Sequence, residues 1–336
     1  MVYAPDVPRA LSEVWGEAWR TPRVAGTIVA MGGSNRVAIR RASALLAALL
    51  LWPFAALAEP LPAYIIELPD SVADVYVADT GASTFLRYSN EAGKLTLAGE
   101  GYMSIGQNGV GKQRAWDRRT PLGIYFVVDQ LDTTRMHEKY GIAAFPLDYP
   151  NELDRQNRRT GDGIWVHGVT PGPERRPALD TDGCIALPNE DLTFLLERLV
   201  PLQTPVIVTR DQAFAEPGEI AALREGLRTA LDAWRGSIEA GDFHAYLSMY
   251  VDDFDYRGMD TEDWAALKLR AFTERGDVDI AVDELTLLGD PEDEDLYLAR
   301  FRQTTTRDGE ARQVMKRLYW RRAADGSYRI VAEDNG

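Results

Sequence analysis

The chain contains a single cysteine, Cys184, in the segment Leu179-Asp180-Thr181-Asp182-Gly183-Cys184-Ile185-Ala186-Leu187-Pro188-Asn189, and a histidine, His167, upstream in Gly163-Ile164-Trp165-Val166-His167-Gly168. A free thiol with a pKa near 8.5 is only about 3% ionised at pH 7, and the thiolate is the attacking species. An imidazole beside it can accept the proton, lowering the thiol pKa by about two units or more, and can then return the proton to a leaving amine. A lone cysteine is either an inert core residue or a reactive one. The strand-like delivery of His167 beside a glycine favours a nucleophile and base pair, with Cys184 attacking a carbonyl and His167 as its base. The Gly168 carbonyl is the first candidate to orient the imidazole, ahead of Asp162 and Asp182. Gly183 is expected to leave room for substrate, and the Cys184 N–H to donate to a tetrahedral oxyanion.

Short β-rich segments surround these residues: Asp74 to Ala78, Thr84 to Tyr88, Lys94 to Ile105, Gly123 to Asp129, Gly163 to Val169 and Pro205 to Thr209. Turn residues separate them, which describes a compact β-sheet unit. One helix fits near Asn189 to Leu199. There Leu192, Leu195, Leu196 and Leu199 share a face, with Asn189 as N-cap and Glu190 and Asp191 in the first turn. A second unit follows Ala215-Glu216-Pro217-Gly218. Its first helix carries the stripe Ile220, Leu223, Leu227, Leu231, Trp234 and Ile238 and stops at Gly241-Asp242. A short helix, His244 to Tyr250, precedes four strands: Ile280 to Leu288, Leu296 to Thr305, Arg312 to Arg321 and Tyr328 to Ala332. Gly289-Asp290-Pro291, Asp308-Gly309 and Asp325-Gly326 are the turns between them. This order is that of an α+β cone, and it resembles the nuclear-transport-factor-2-like (NTF2-like) fold.

With 336 residues, two domains are expected. The 45% hydrophobic and 26% charged content is that of an ordinary globular chain rather than a disordered or fibrous one. A net charge of -15 without any basic block opposes a phosphate backbone, so nucleic acid is excluded as a partner. Arg36, Arg40 and Arg41, the apolar run Ala42 to Ala55 and the small-residue site Ala56-Leu57-Ala58 describe a secretory signal peptide. The run is too short to span a bilayer and contains Pro53. Cleavage near Ala58 places the mature protein in the periplasm, and translation starts at either Met1 or Met31. The organisation is therefore an N-terminal extension with signal peptide over 1–58, a catalytic domain over 62–210 and a C-terminal domain over 218–336. Three scattered histidines and one cysteine make no metal site, and no cofactor is implied. Arg155, Arg158 and Arg159 read as solvated loop charges with wall binding as the rival reading, His137 as an exposed loop histidine, and Glu292 to Asp295 as a hairpin tip. The aromatic residues Trp234, Phe243, Tyr246, Tyr250, Trp264, Tyr319 and Trp320 read first as core. A sugar or glycan ligand and homodimerisation through the sheet stay open for this domain.

The motifs resemble those of the L,D-transpeptidase (YkuD-type) catalytic domain of peptidoglycan enzymes. Thr120-Pro121-Leu122-Gly123-Ile124-Tyr125 matches its T-P-x-G-x-[FY] strand, His167-Gly168 its H-G, and Gly183-Cys184-Ile185 with Asn189 its cysteine loop. The resemblance covers about residues 62 to 210. It implies a mainly β, sandwich-like catalytic domain with one or two helices, and an attack on the diaminopimelate–D-alanine bond of tetrapeptide stems. It also implies that Thr181, Asp182, Gly183, Trp165 and Asn189 serve substrate binding. An amine acceptor would make the enzyme a transpeptidase, and water a carboxypeptidase. Where many members read S-H-G-C-I-R, this chain reads Thr181-Asp182-Gly183-Cys184-Ile185-Ala186, so the second histidine and the arginine are absent. The G-C-x-A form with an NTF2-like C-terminal domain looks more like the cell-shape-determining L,D-carboxypeptidase branch. A wall-binding or scaffold protein that has lost turnover is the non-enzymatic rival.

Overall fold

The run Val75-Tyr76-Val77-Ala78 is apolar at every position, and such a strand is stable only when both of its faces are covered. The computed structural model, which describes residues 60–172 and 175–336, supplies both covers. The expected signal peptide, its cleavage site and both start methionines lie outside the described residues. A five-stranded sheet runs in the spatial order Lys94–Tyr102, Thr84–Glu91, Asp74–Asp79, Pro205–Thr209, Gly123–Phe126. Only Asp74–Asp79 and Pro205–Thr209 are parallel neighbours. Tyr76, Ala78, Val206 and Val208 point to one face, and Val75, Val77 and Ile207 to the other, following the two-residue period of a strand.

The first face packs beneath a three-stranded sheet, Ile185–Ala186, Trp165–His167 and Ala144–Pro146, through Phe145, Val166 and Ile185. Two helices belong to this half, α1 (Glu152–Gln156) and α2 (Asn189–Leu195), the latter burying Leu192 and Leu195 in the same core. The residue capping α2 is Pro188, with no side-chain bond, so the expected N-cap role of Asn189 is not realised. Its amide is held elsewhere by tertiary contacts.

The second face packs on the C-terminal half. There α3 (Pro217–Ala240), started by a Glu216–Glu219 capping box and ended by Gly241 at φ 70°, packs with α4 (Phe243–Leu247) and α5 (Thr261–Thr273) against a sheet. The sheet is the antiparallel meander Val278–Gly289, Leu296–Arg307, Glu310–Arg322 and Tyr328–Asn335. Its fifth, edge strand is Ile65–Glu67, which pairs with Val278–Gly289 although it precedes the five-stranded sheet of the first half in the chain. The two halves also share a core, since Val75, Val77, Ile124 and Ile207 meet Leu288, Leu298, Tyr319 and Ala332. Arg317 bridges them electrostatically, donating from Nε and Nη2 to Asp334 at 2.6 and 2.8 Å and from Nη1 to Asp148. The mainly β first domain and the α+β cone expected from the pattern are both present.

Trp234, Tyr246, Tyr250, Trp264, Tyr319 and Trp320 are each no more than 2% exposed. They are core residues and offer no ring face to a carbohydrate. Within this core Glu333 accepts from Tyr250 Oη at 2.8 Å and pairs with Lys268 and Lys316, both at 3.1 Å. Burial pushes its carboxyl up, but the two ammonium groups outweigh that and hold it at about 2. An unfolded chain takes up the proton near 4.5, so this stabilisation is present above pH 4.5 and is lost as pH falls toward 2. Replacing Glu333 by Gln strands the buried Lys316 and the part-buried Lys268. Urea unfolding at pH 7 is expected to show a loss of about 3 kcal/mol or more, and a change below about 0.5 kcal/mol would contradict this account.

Candidate active site

Two short parallel strands bring the chemistry together. Trp165–His167 lies beside Ile185–Ala186 in the register Val166 to Ile185 and His167 to Ala186, so Cys184 enters just before its strand at the level of Trp165. Val166 and Ile185 point into the core, which turns His167 to the opposite face. His167 and Cys184, 6% and 9% exposed, both line one groove of about 570 Å³.

His167 is pinned by its own backbone neighbour. Its Nδ1 lies 2.5 Å from the Gly168 carbonyl, which fixes that nitrogen as the N–H donor and leaves Nε2 with its lone pair for a proton. The carbonyl is itself held in place. Asn189 Oδ1 accepts from the Val169 N–H at 3.0 Å, and Asn189 Nδ2 donates to the Val169 carbonyl at 2.8 Å. A Cβ on Gly168 would stand 2.2 Å from Asn189 Oδ1 and 3.1 Å from Gly141 Cα, so only glycine fits. The ring of Tyr140 meets the imidazole edge-on at 5.3 Å and tilts against Trp165 at 4.8 Å.

The cysteine loop is built by two threonine hydroxyls. Thr181 Oγ1 accepts from the Gly183 N–H at 3.0 Å and donates to the Cys184 carbonyl at 2.8 Å. Thr120 Oγ1 donates to the Gly183 carbonyl at 2.9 Å and accepts from the Gly106 N–H at 2.9 Å, tying the Thr120-Pro121 segment to the nucleophile. The Cys184 thiol donates to the Gly163 carbonyl at 3.3 Å. Burial pushes that thiol up to about 11, only partly opposed by the Trp165 backbone N–H and Lys139. Burial likewise lowers His167 to about 4 against the pull of the Gly168 carbonyl, with Arg176 and Lys139 adding to the drop. The expectation that the imidazole depresses the thiol pKa is therefore corrected. A neutral imidazole in a dry site carries no charge with which to stabilise a thiolate. At rest the pair is thiol and neutral imidazole.

Several expected substrate residues take other roles. Gly183 is buried at φ 129°, and a Cβ there would lie 2.8 Å from the Arg119 carbonyl, so it makes room for the chain rather than for a ligand. Thr181 and Asn189 use their polar atoms on backbone and act as positioning residues. Trp165 packs on Tyr140. Asp182 is 67% exposed and lines the groove. Arg155 and Arg159 pair with Glu152 and Asp154, away from the groove lining. His137 caps a 3₁₀ turn by accepting from the Lys139 N–H at 3.1 Å. Sequence reasoning missed Tyr140, Lys139, Trp116, Arg118 and Arg176 on the groove wall. The signal available was the segment Thr133 to Tyr140 itself, in which His137 drew attention while its neighbours carry the contacts.

Two family descriptions match the chain: the L,D-transpeptidase catalytic domain (YkuD) over residues 73–208, and the Cds6 C-terminal NTF2-like domain over residues 226–334. Among curated proteins none matches. The crystal structure of the helical cell shape determining protein Pgp2 from Campylobacter jejuni is 26% identical, with a TM-score of 0.69 over 81% of this chain and 95% of that one. Bd1075 from Bdellovibrio bacteriovorus shares the fold at 22% identity and a TM-score of 0.69, over 83% of this chain and 98% of that one.

Iodoacetamide alkylation of Cys184, followed by mass, is expected to accelerate through pH 8.5 and level off only near pH 11. A plateau already reached below pH 8 would mean a resting thiolate. Gly168→Ala should keep the fold yet displace the Gly168 carbonyl from the imidazole. Its catalytic loss is expected to be about 100-fold, and activity within twofold of wild type would refute the pinning role.

Proposed function

We propose that this chain, which carries an L,D-transpeptidase catalytic domain at residues 73–208 and an NTF2-like domain at residues 226–334, is an exported cysteine enzyme acting on the peptide stems of peptidoglycan. The observation that carries the reading is the lone thiol and an imidazole of fixed tautomer lining the same open groove. The bond attacked is the one joining diaminopimelate to the terminal D-alanine of a tetrapeptide stem.

Sγ of Cys184 adds to the carbonyl carbon while its proton passes to His167 Nε2, and the Cys184 N–H faces the developing oxyanion. Collapse breaks the C–N bond. The imidazolium gives its proton to the departing amine of D-alanine, leaving a thioester on Cys184. Water or an acceptor amine then attacks the thioester with His167 again as base, and the proton returns to sulfur. Water makes the enzyme an L,D-carboxypeptidase that trims stems to tripeptides, and an amine makes it an L,D-transpeptidase. A role in cell shape is supported by the likeness to Pgp2. Periplasmic location rests on the signal-like segment ending at Ala58.

Purified tetrapeptide muropeptides incubated with the enzyme and read by mass spectrometry separate the outcomes. Loss of D-alanine alone marks hydrolysis, whereas dimers or exchanged D-amino acids mark transfer. Cys184→Ala and His167→Ala should each lower turnover about 1000-fold or more. Because His167 must be neutral to accept the proton, kcat/KM should fall only as pH drops through about 4. Folded wild-type protein that alkylates at Cys184 but turns over no stem would leave a wall-binding scaffold as the function.

A further inference from the structure

We infer that Lys139 and Arg118 form a carboxylate subsite at the mouth of the cysteine groove, occupied at rest by Asp182 and taken over by a carboxylate of the substrate. The inference rests on the stem-peptide reading for its ligand and on geometry for its place.

The two cations come from separate loops and converge on one side chain. Lys139 Nζ stands 3.8 Å from Asp182 Oδ2, and Arg118 Nε stands 3.8 Å from Asp182 Oδ1. Charge-assisted hydrogen bonds are about 2.7–2.9 Å long, so both contacts leave Lys139 Nζ and Arg118 Nε able to donate, while Arg118 Nη1 already donates to Gln107 Oε1 at 2.8 Å. All three side chains are well open to solvent, at 47%, 56% and 67% exposure. A pair of this kind is worth about 0–1 kcal/mol. Exchange for an incoming carboxylate is therefore easy.

The neighbouring cations are already engaged. Arg176 donates to Asp180 at 2.5 Å, and Lys112 is buried against Asp117 at 2.8 Å. Among the described residues, Asp182 is the only carboxylate within ion-pair distance of Lys139 or Arg118. Behind the nucleophile, Ile185 and Ala186 are buried in their strand and bring no cation to the groove.

The location suits the chemistry. Asp182 is two residues before Cys184, so its backbone lies within about 7 Å of the nucleophile's. An enzyme that removes one terminal residue must find that residue's free carboxylate about one residue beyond the carbonyl it attacks. Lys139 lines the same groove as Cys184 and His167. Arg118 is presented by a braced loop, with positive φ at Trp116 and Arg118 (65° and 55°). Asp117 accepts there from the N–H groups of Gln113, Arg114 and Arg119 and from Lys112. Backbone conformations of this type cost free energy and persist where the surroundings enforce them.

The test reads the thiol with two probes of equal size and different charge, iodoacetate and iodoacetamide, at one pH. Their rate ratio cancels any change in thiol ionisation. Asp182→Asn should raise the iodoacetate to iodoacetamide ratio by about threefold to tenfold, and Lys139→Gln and Arg118→Gln should each lower it by a similar factor. Ratios unchanged in all three variants overturn the subsite, whether or not the enzyme turns over stems. With tetrapeptide as substrate, a terminal D-alaninamide should raise KM about tenfold in wild type and not in Lys139→Gln. If amidation of the diaminopimelate side-chain carboxylate produces that loss instead, the subsite stands and its ligand is that carboxylate. Equal KM for all three peptides refutes a substrate carboxylate in this position.

Discussion

Two short strands lying parallel, one ending in His167 and the other beginning after Cys184, are the constraint on which the site depends. A parallel pair cannot be closed by a tight turn, so the chain must travel out and back between them. That excursion builds much of the groove. It carries Gly168, Arg176, Asp180 and the threonine that shapes the cysteine loop, and its return is anchored by Asn189 on the Val169 backbone. The register is set by burial, because Val166 and Ile185 must face the core together. A one-residue slip would put His167 and Cys184 on opposite faces.

The same burial that fixes the register sets the resting chemistry. A dry site raises the thiol and lowers the imidazole, so neither group is charged before substrate arrives. In the proposed mechanism such a thiol waits for a correctly placed carbonyl to draw the proton across. The fixed Nδ1 contact with the Gly168 carbonyl matters more here than an ion pair would, since the base works through the direction of its free nitrogen.

Much of this architecture was legible in the residues. The strands alternate or run wholly apolar between turn residues, and Pro205–Thr209 has the limits its pattern suggests. The long stripe of α3 and the glycine that ends it were equally plain. Other parts left no mark. The helix α5 went unseen because it buries only Trp264 and exposes Leu267 and Leu269, so it has no stripe to read. Asn189 looked like a cap because its type and neighbours fit one, and only the tertiary structure directs its amide to Val169 instead. The motif pointed to Cys184 and His167, but the convergence of Lys139, Arg118 and Tyr140 on them is produced by loops whose mutual placement no local pattern encodes.

The edge strand Ile65–Glu67 has an implication for how this molecule comes into being. It emerges from the ribosome early, yet its pairing partner Val278–Gly289 is synthesised only after the entire catalytic sheet. Until then the outer face of that sheet, with Val75, Val77 and Ile207, lacks Leu288, Leu298, Tyr319 and Ala332. That part of its cover is synthesised only with the last fifth of the chain. The cone moved alone to another protein would leave its fifth strand behind, because that strand is encoded at the far side of its neighbour.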